Sequence, residues 1–120
     1  MSKLRKFLAV AAVVGFTGPA LADTWQVFEG PQGSTRGQWT VEIAGDGVTG
    51  QAVMSPISGP KLTYTVAGTL GADGVALKRT SSSDGSACSY SAKPAPDGKG
   101  YVGSRNCSGT VQPWTVFLVK

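Results

Sequence analysis

The sequence predicts an all-β domain in which eight antiparallel strands follow one another as an up-and-down meander and close into a barrel. Three observations support this fold class. Glycines are concentrated in Asp-Gly and Ser-Gly turn pairs, the segments between the turns alternate apolar and polar residues, and no segment after residue 22 has a helical period. A flattened two-sheet sandwich is the alternative. Closure removes exposed edge strands, so we favour the barrel.

The first predicted element is a secretory signal peptide over residues 1–22. Three basic residues precede an apolar run at 7–16, and the tripeptide Ala20-Leu21-Ala22 has the small-x-small cleavage pattern. The apolar run forms only about 15 Å of helix, too short to cross about 30 Å of hydrocarbon. We therefore expect cleavage, a single domain at 23–120, and a protein that lies in a periplasm or outside the cell without membrane insertion.

The charge of the expected mature domain is close to neutral. The whole chain has a formal net charge of +4, with eleven basic and seven acidic residues, but Lys3, Arg5 and Lys6 belong to the signal. Eight bases then face seven acids, a balance of +1 (8 − 7), and no basic run follows residue 6. This composition argues against binding to nucleic acid or to a membrane surface.

The chain also lacks the residues of common catalytic and metal sites. It contains no histidine, so the serines at 81–83 have no base and the cysteines have no partner for a zinc site. Most carboxylates occupy turns, where backbone geometry explains an aspartate, and nothing places Glu29 beside Glu42. The Asp-Gly pairs lack the D-x-D spacing of a calcium loop. We expect no enzyme, no cofactor and no metal.

Six turn pairs, 11 to 15 residues apart, divide the domain into strands. An Asp-Gly pair suits the central positions of a type I′ hairpin turn, because both need a positive φ. The turn pairs are Asp46-Gly47, Ser58-Gly59, Asp73-Gly74, Asp84-Gly85, Asp97-Gly98 and Ser108-Gly109. The strands predicted around them cover 24–28, 37–43, 48–54, 61–67, 75–81, 86–92, 100–107 and 110–119.

The turn centres predict the register, because the numbers of facing residues in a hairpin add to a constant. Large residues then face small ones at several positions. The predicted pairs are Trp39 with Met54, Val41 with Ala52, Ile43 with Gly50, Gly68 with Arg79, and Gly103 with Trp114.

Cys88 and Cys107 are predicted to form a disulfide. The expected compartment is oxidising, and the Asp97-Gly98 turn places the two residues opposite each other. Closing a loop of this length contributes about 3 kcal/mol. Pro94 and Pro96 cannot donate backbone hydrogen bonds, so this hairpin is expected to open into a longer, symmetric loop.

Three polar side chains are predicted to share one rung of the inner face. The turn centres place Arg79 opposite Tyr90, and Tyr90 opposite Arg105. Two guanidiniums that flank a phenol are suited to hold a carboxylate or similar anion. The alternative is that both arginines reach the rim and stack on Tyr90 without a ligand.

Large apolar side chains on the inner face form either the apolar part of a ligand pocket or a filled barrel interior, and the filled interior is the more economical interpretation. These residues are Trp39, Met54, Tyr64, Tyr101, Trp114 and Leu118.

Two stiff loops are candidates for protein binding. In the segment 55–60, Ile57 lies between Pro56 and Pro60, and the segment 93–99 forms a proline-containing hairpin tip. Stiff loops insert into the cleft of a partner at low entropic cost, as in many inhibitors of secreted hydrolases. The alternative is that they only connect strands.

The residues Gly37-Gln38-Trp39-Thr40 open the first long strand and resemble the G-x-W motif of the calycins, the lipocalin and avidin type of small secreted β-barrels. In that family the tryptophan packs across the closed end of the barrel against a basic residue near the end of the last strand, and Lys120 is the candidate here. The chain also carries an extra strand-like segment before the motif. The resemblance implies a binding protein for a small, largely apolar molecule.

Two functional hypotheses follow. The first is non-enzymatic binding of a small, partly apolar ligand, with or without an anionic group, in the barrel by Arg79, Tyr90, Arg105, Trp39 and Trp114. The second is a protein-binding role, such as inhibition of a secreted or periplasmic hydrolase, through Pro56, Ile57 and Pro60. A purely structural envelope component is a third possibility.

Overall fold

The computed structural model describes residues 21–119. The basic and apolar parts of the predicted signal peptide and Lys120 lie outside the described residues. Leu21 and Ala22, from the predicted cleavage motif, begin the first strand. The described part contains no helix long and apolar enough to span a membrane.

Eight antiparallel strands form one closed barrel in sequence order, which confirms the predicted fold class. A short 3-10 turn, Pro31–Gly33, lies between the first two strands, and hairpin turns or loops join the others. The strands are β1 Leu21–Glu29, β2 Thr35–Ala44, β3 Gly47–Pro56, β4 Leu62–Gly71, β5 Gly74–Ser82, β6 Cys88–Pro94, β7 Gly100–Cys107 and β8 Thr110–Val119.

Strand β1 closes the barrel, because it pairs with β2 on one side and with β8 on the other. It is the extra segment that precedes the G-x-W residues. Trp25 lies opposite Trp39 of β2 and Leu118 of β8, and Glu29 lies opposite Trp114. Compared with the predicted strand at 24–28, β1 begins three residues earlier and ends one residue later.

The β2–β3 turn is centred one residue earlier than predicted. Its central residues are Gly45 and Asp46, and only Gly45 has a positive φ, 61°. This is the arrangement of a type II′ turn rather than type I′. The predicted pairs are wrong by two residues, although an even shift keeps every side chain on its predicted face. The observed pairs are Trp39 with Ala52, Val41 with Gly50, and Ile43 with Val48.

The β4–β5 turn is displaced in the same way. Gly71 pairs with Gly74, so Gly68 lies opposite Leu77 and the predicted pairing of Gly68 with Arg79 is wrong. Gly74 is a strand residue rather than a turn centre. A Cβ at Gly74 would lie 2.0 Å from a backbone oxygen of β6, so the close approach of β5 to β6 requires glycine.

Strands β5 and β6 have the shortest pairing in the barrel, four residues from each strand. Leu77 lies opposite Tyr90, so the predicted backbone pairing of Arg79 with Tyr90 is wrong. Backbone pairing with β6 stops at Lys78. A bulge after Thr65 also changes the register on the other side of β5.

The register of β6, β7 and β8 is confirmed. Cys88 lies opposite Cys107, and the two form the predicted disulfide. The loop at 95–99 is longer than a two-residue turn, as its prolines predicted. Gly103 lies opposite Trp114, also as predicted.

Aromatic side chains fill the centre of the barrel. Trp25, Trp39 and Trp114 are at most 1% exposed. Of the other predicted inner-face residues, Met54 and Tyr64 are buried, and Tyr101 and Leu118 are partly buried against the same core.

The loops alternate between the two ends of the barrel because successive strands are antiparallel. One end, which we call the polar end, carries the loops at 30–34, 57–61 and 83–87 and the turn at 108–109. Glu29 is the last residue of β1 at this end. Arg79 and Arg105 lie close to the same end, near the last residues of β5 and β7. The two loops that the sequence suggested for protein binding lie at opposite ends, since 95–99 is at the other end.

Candidate functional site

A buried carboxylate, Glu29, lies at the centre of a group of polar side chains at the polar end. Glu29 is 0% exposed. Its Oε1 accepts hydrogen bonds from Arg105 Nη1 at 2.8 Å, the Tyr90 hydroxyl at 3.2 Å and Arg79 Nη2 at 3.4 Å. Its Oε2 accepts a hydrogen bond from the Tyr64 hydroxyl. We call these five residues the Glu29 cluster. The buried charge is both paired and hydrogen-bonded, as burial requires.

Arg79 links Glu29 to the rim of the barrel. Its Nε and Nη2 donate to the Tyr90 hydroxyl at 3.1 and 2.7 Å, and its Nη1 donates to Ser86 Oγ at 2.5 Å. The guanidinium also lies over the ring of Tyr64, 3.8 Å from the ring centroid. Its hydrogen bonds and the ring contact hold the side chain in one position.

Arg105 reaches Glu29 from the other side. Its Nη2 donates to Gln112 Oε1 at 2.5 Å. Gly30 packs over this contact, since a Cβ there would lie 3.7 Å from Arg105 Nη2. The Arg105 side chain is 17% exposed, against 2% for Arg79, so Arg105 is the more accessible of the two arginines.

Burial is the largest cause of the raised pKa values of the two tyrosines in the cluster, and the Glu29 carboxylate adds to it. The pKa of Tyr90 is raised to about 12, and that of Tyr64 is raised well above its ordinary value. Both hydroxyls therefore stay protonated and keep donating to Glu29 near neutral pH.

Asp84 is an exposed acid at the rim, beside the cluster. Hydrogen bonds from the Ser82 and Ser86 hydroxyls, the latter at 2.6 Å, lower the pKa of Asp84 to about 2. Its Oδ1 lies 4.0 Å from Arg79 Nη1. Glu29 and Asp84 together therefore balance the charges of the two arginines.

The structure brings together the five residues that the sequence suggested for ligand binding, Arg79, Tyr90, Arg105, Trp39 and Trp114. Tyr90 lies opposite Arg105 as predicted, and Arg79 reaches Tyr90 through its side chain. The ring centroid of Tyr90 lies 5.2 Å from that of Trp39 and 4.9 Å from that of Trp114. The centroids of the two tryptophans are 5.3 Å apart.

Sequence reasoning missed Glu29, the residue that organises the cluster. The predicted β1 stopped at residue 28, so Glu29 was treated as an isolated acid. A signal was present in the alternation, because Trp25, Val27 and Glu29 share one face of an extended strand. A glutamate on that face, in a barrel with two inward arginines, indicates a paired charge.

Glu29 occupies the place between the arginines where a ligand anion was expected. A free anion would have to displace a carboxylate that the chain itself holds there, without any loss of translational freedom. The cluster is therefore suited to fix the polar end of the barrel. Within residues 21–119, no three acidic or cysteine side chains converge as metal ligands.

Three buried N–H groups have no hydrogen-bond partner within the described residues. They are Trp25 Nε1, Trp114 Nε1 and Arg105 Nε. A buried donor without an acceptor is costly, so each of these groups is suited to a small acceptor that reaches it.

The loop at 57–61 lies at the same end as the cluster. Ile57 is 81% exposed, and its backbone N–H donates to the Ser34 oxygen at 3.0 Å. This hydrogen bond ties the loop to the neighbouring loop at 30–34, in which Gln32 has a φ of 56°, uncommon for a residue other than glycine. Pro56 ends β3 and Pro60 is exposed in the loop.

Comparison of the chain with protein families, with curated proteins and with solved structures found no match. The resemblance to the calycins stays a prediction that rests on Gly37, Trp39 and the layout of the strands. Trp39 is fully buried, and its Nε1 donates to the Tyr64 hydroxyl at 3.0 Å. This hydrogen bond connects the motif to the Glu29 cluster.

We predict that the protein loses stability steeply above pH 10. An unfolded tyrosine ionises near pH 10, whereas the fold holds the pKa of Tyr90 at about 12 and raises that of Tyr64. Above pH 10 the unfolded chain therefore releases protons that the folded chain keeps. Each tyrosine then lowers the free energy of unfolding by about 1.4 kcal/mol per pH unit, and its contribution is complete below pH 10. Urea unfolding between about pH 9 and about pH 11.5 measures this slope.

The variants Tyr64→Phe and Tyr90→Phe provide the control. Each variant should reduce the slope of the free energy of unfolding against pH by the contribution of the tyrosine that it removes. This holds whatever the variant does to stability at neutral pH. A slope that is the same in both variants and in the wild type would contradict the assignment.

Proposed function

We propose that the protein is an exported, non-enzymatic binding protein that recognises a partner protein at the polar end of the barrel. The proposed partner is a secreted or periplasmic hydrolase whose cleft receives the loop at 57–61. The position of Glu29 favours this hypothesis over ligand binding between the arginines, because the protein supplies its own anion there.

The exposure of Ile57 is the observation that carries the proposal. At 81% exposed, Ile57 is the most exposed large apolar side chain among the described residues, where the others range from 44% to 66%. Those others lie on strands, whereas Ile57 lies in the loop that joins β3 and β4 at the polar end of the barrel. An apolar side chain in this position can fill a pocket of a partner without any rearrangement of the barrel.

The loops around Ile57 are already ordered, which favours tight binding. The Ser83 N–H donates to the Thr63 oxygen at 2.8 Å, and the Thr63 N–H donates to Ser83 Oγ at 3.1 Å. These contacts tie the loop at 83–87 to the start of β4, the strand that follows the loop at 57–61, and the hydrogen bond from Ile57 to Ser34 ties the loop at 57–61 to the loop at 30–34. Binding through a preorganised surface loses less conformational entropy than binding through a flexible one.

We predict that Ile57→Asp strongly weakens inhibition of the partner. The mature protein would be tested against a serine protease, a metalloprotease and a peptidoglycan-cleaving glycosidase. At least one should be inhibited, and Ile57→Asp should weaken that inhibition by about 30-fold or more, the effect of losing a central anchor.

Val102→Asp is the matched control, because Val102 is 52% exposed on the outer wall of β7, away from the loop. It should inhibit as strongly as the wild type. No inhibition of any enzyme in the panel, or equal inhibition by Ile57→Asp, would contradict the proposal.

A second candidate is the binding of a small molecule inside the polar end of the barrel. The unpartnered buried donors Arg105 Nε and Trp114 Nε1 favour it, since Arg105 belongs to the Glu29 cluster and Trp114 packs against Tyr90 of that cluster. A small ligand with a carbonyl or carboxylate oxygen would satisfy them.

Native mass spectrometry of the protein from its own compartment tests this candidate. Ligand binding predicts an additional mass that is lost on denaturation. It also predicts loss of that mass in Trp114→Phe, which keeps an aromatic ring but removes the N–H. A bare wild-type chain, before and after incubation with a metabolite extract, would contradict ligand binding.

A further inference from the structure

The outer wall of the barrel carries a groove that the proposed function does not use. The groove has a volume of about 500 Å³ and is lined by residues of β4, β5, β6, β7 and β8. Small-ligand sites usually have volumes of roughly 300–1,000 Å³. The groove lies on the outer wall, away from the loop at 57–61.

Short side chains form the floor of the groove. The strand register aligns Ala76 with Ser91, and Ser91 with Ser104, across three neighbouring strands. The outer wall of a barrel is convex, so a depression can form only where the side chains are short. The hydroxyl groups of the two serines give the floor hydrogen-bonding capacity.

A second row of outward-facing residues borders this floor and includes longer side chains. In this row Lys78 lies beside Ser89, Ser89 beside Asn106, and Asn106 beside Val111. This row provides a cation, an amide and an apolar contact along one side of the groove.

The charges around the groove favour an anion. Strands β4 to β8 contain no aspartate or glutamate, while Lys78 and Lys93 are exposed on their outer wall. Within the described residues neither lysine forms an ion pair. In contrast to the inner arginines, whose charges Glu29 and Asp84 balance, Lys78 has no competing carboxylate in the groove.

We propose that the groove binds a small organic anion with a short aliphatic body. The carboxylate or phosphate group of the ligand pairs with Lys78 and accepts hydrogen bonds from Ser89 and Asn106. Its aliphatic part contacts Val111, which lies beside Asn106. This site is independent of protein binding through Ile57, and neither proposal requires the other.

An NMR titration of the isotopically labelled mature protein tests the site. Octanoate and octyl phosphate serve as probes for the two head groups, and octanol is the neutral control of equal chain length. The proposal predicts saturable backbone shifts at 76–78, 89–91 and 104–106, with none at 37–39 of β2, the strand opposite β6 in the closed barrel. It also predicts that at least one anion binds and that octanol does not.

Two lysine variants separate a specific site from general charge attraction. Lys78→Gln should weaken binding of the anion about fivefold, the effect of one exposed ion pair. Lys61→Gln, an exposed lysine in the loop at 57–61, should leave it unchanged. Shifts outside the groove, no saturable shifts, equal binding of octanol, or equal effects of the two variants would each overturn the proposal.

Discussion

Burial of the Glu29 carboxylate between two guanidiniums and two phenols is the interaction on which the polar end of the barrel depends. An unpaired carboxylate in an apolar interior would be strongly destabilising, so the four partners must all be in place. Tyr64, Arg79, Tyr90 and Arg105 come from β4, β5, β6 and β7, and Glu29 comes from β1. One side chain therefore connects five of the eight strands. The cluster also compensates for the short pairing of β5 with β6, because Arg79 bonds to Tyr90 where the backbone pairing has ended.

This arrangement determines which surfaces remain for binding. The inner arginines are neutralised by the protein itself, and the rings of Trp39, Tyr90 and Trp114 occupy the space beside them. Exposed apolar and cationic groups are instead found outside, at Ile57 and at Lys78. The two outer surfaces do not overlap, since one is the loop at 57–61 and the other a groove on the wall that contains none of its residues. A rigid barrel with its charged groups satisfied internally is a stable base for either.

Turn chemistry explains how much of the fold and of the site could be predicted from sequence. The alternation and the turn spacing predicted the strand number, the barrel and the disulfide. At residues 108–109 both φ values are positive, as a type I′ turn requires, and the predicted register of β7 and β8 holds. In the β2–β3 turn the central residues are Gly45 and Asp46 instead of Asp46 and Gly47. Both pairs contain a glycine that suits a turn, so the sequence does not say which pair forms it. Glu29 was missed because the predicted β1 ended one residue too early, at 28. As the last residue of the observed strand, Glu29 continues the inner face of β1.

A double-mutant cycle between Glu29 and Arg105 tests the central claim most directly. The free energies of unfolding of the wild type, Glu29→Gln, Arg105→Gln and the double variant would be measured by urea denaturation with the disulfide intact. Loss of Glu29 leaves both arginines without their shared carboxylate, so Glu29→Gln should be destabilised by about 3 kcal/mol or more. Arg105→Gln should be destabilised by less, because Arg79 and the two tyrosines still contact Glu29. The double variant should be less destabilised than the sum, with a coupling energy of at least about 1.5 kcal/mol. Effects that add to within about 0.5 kcal/mol would contradict the account.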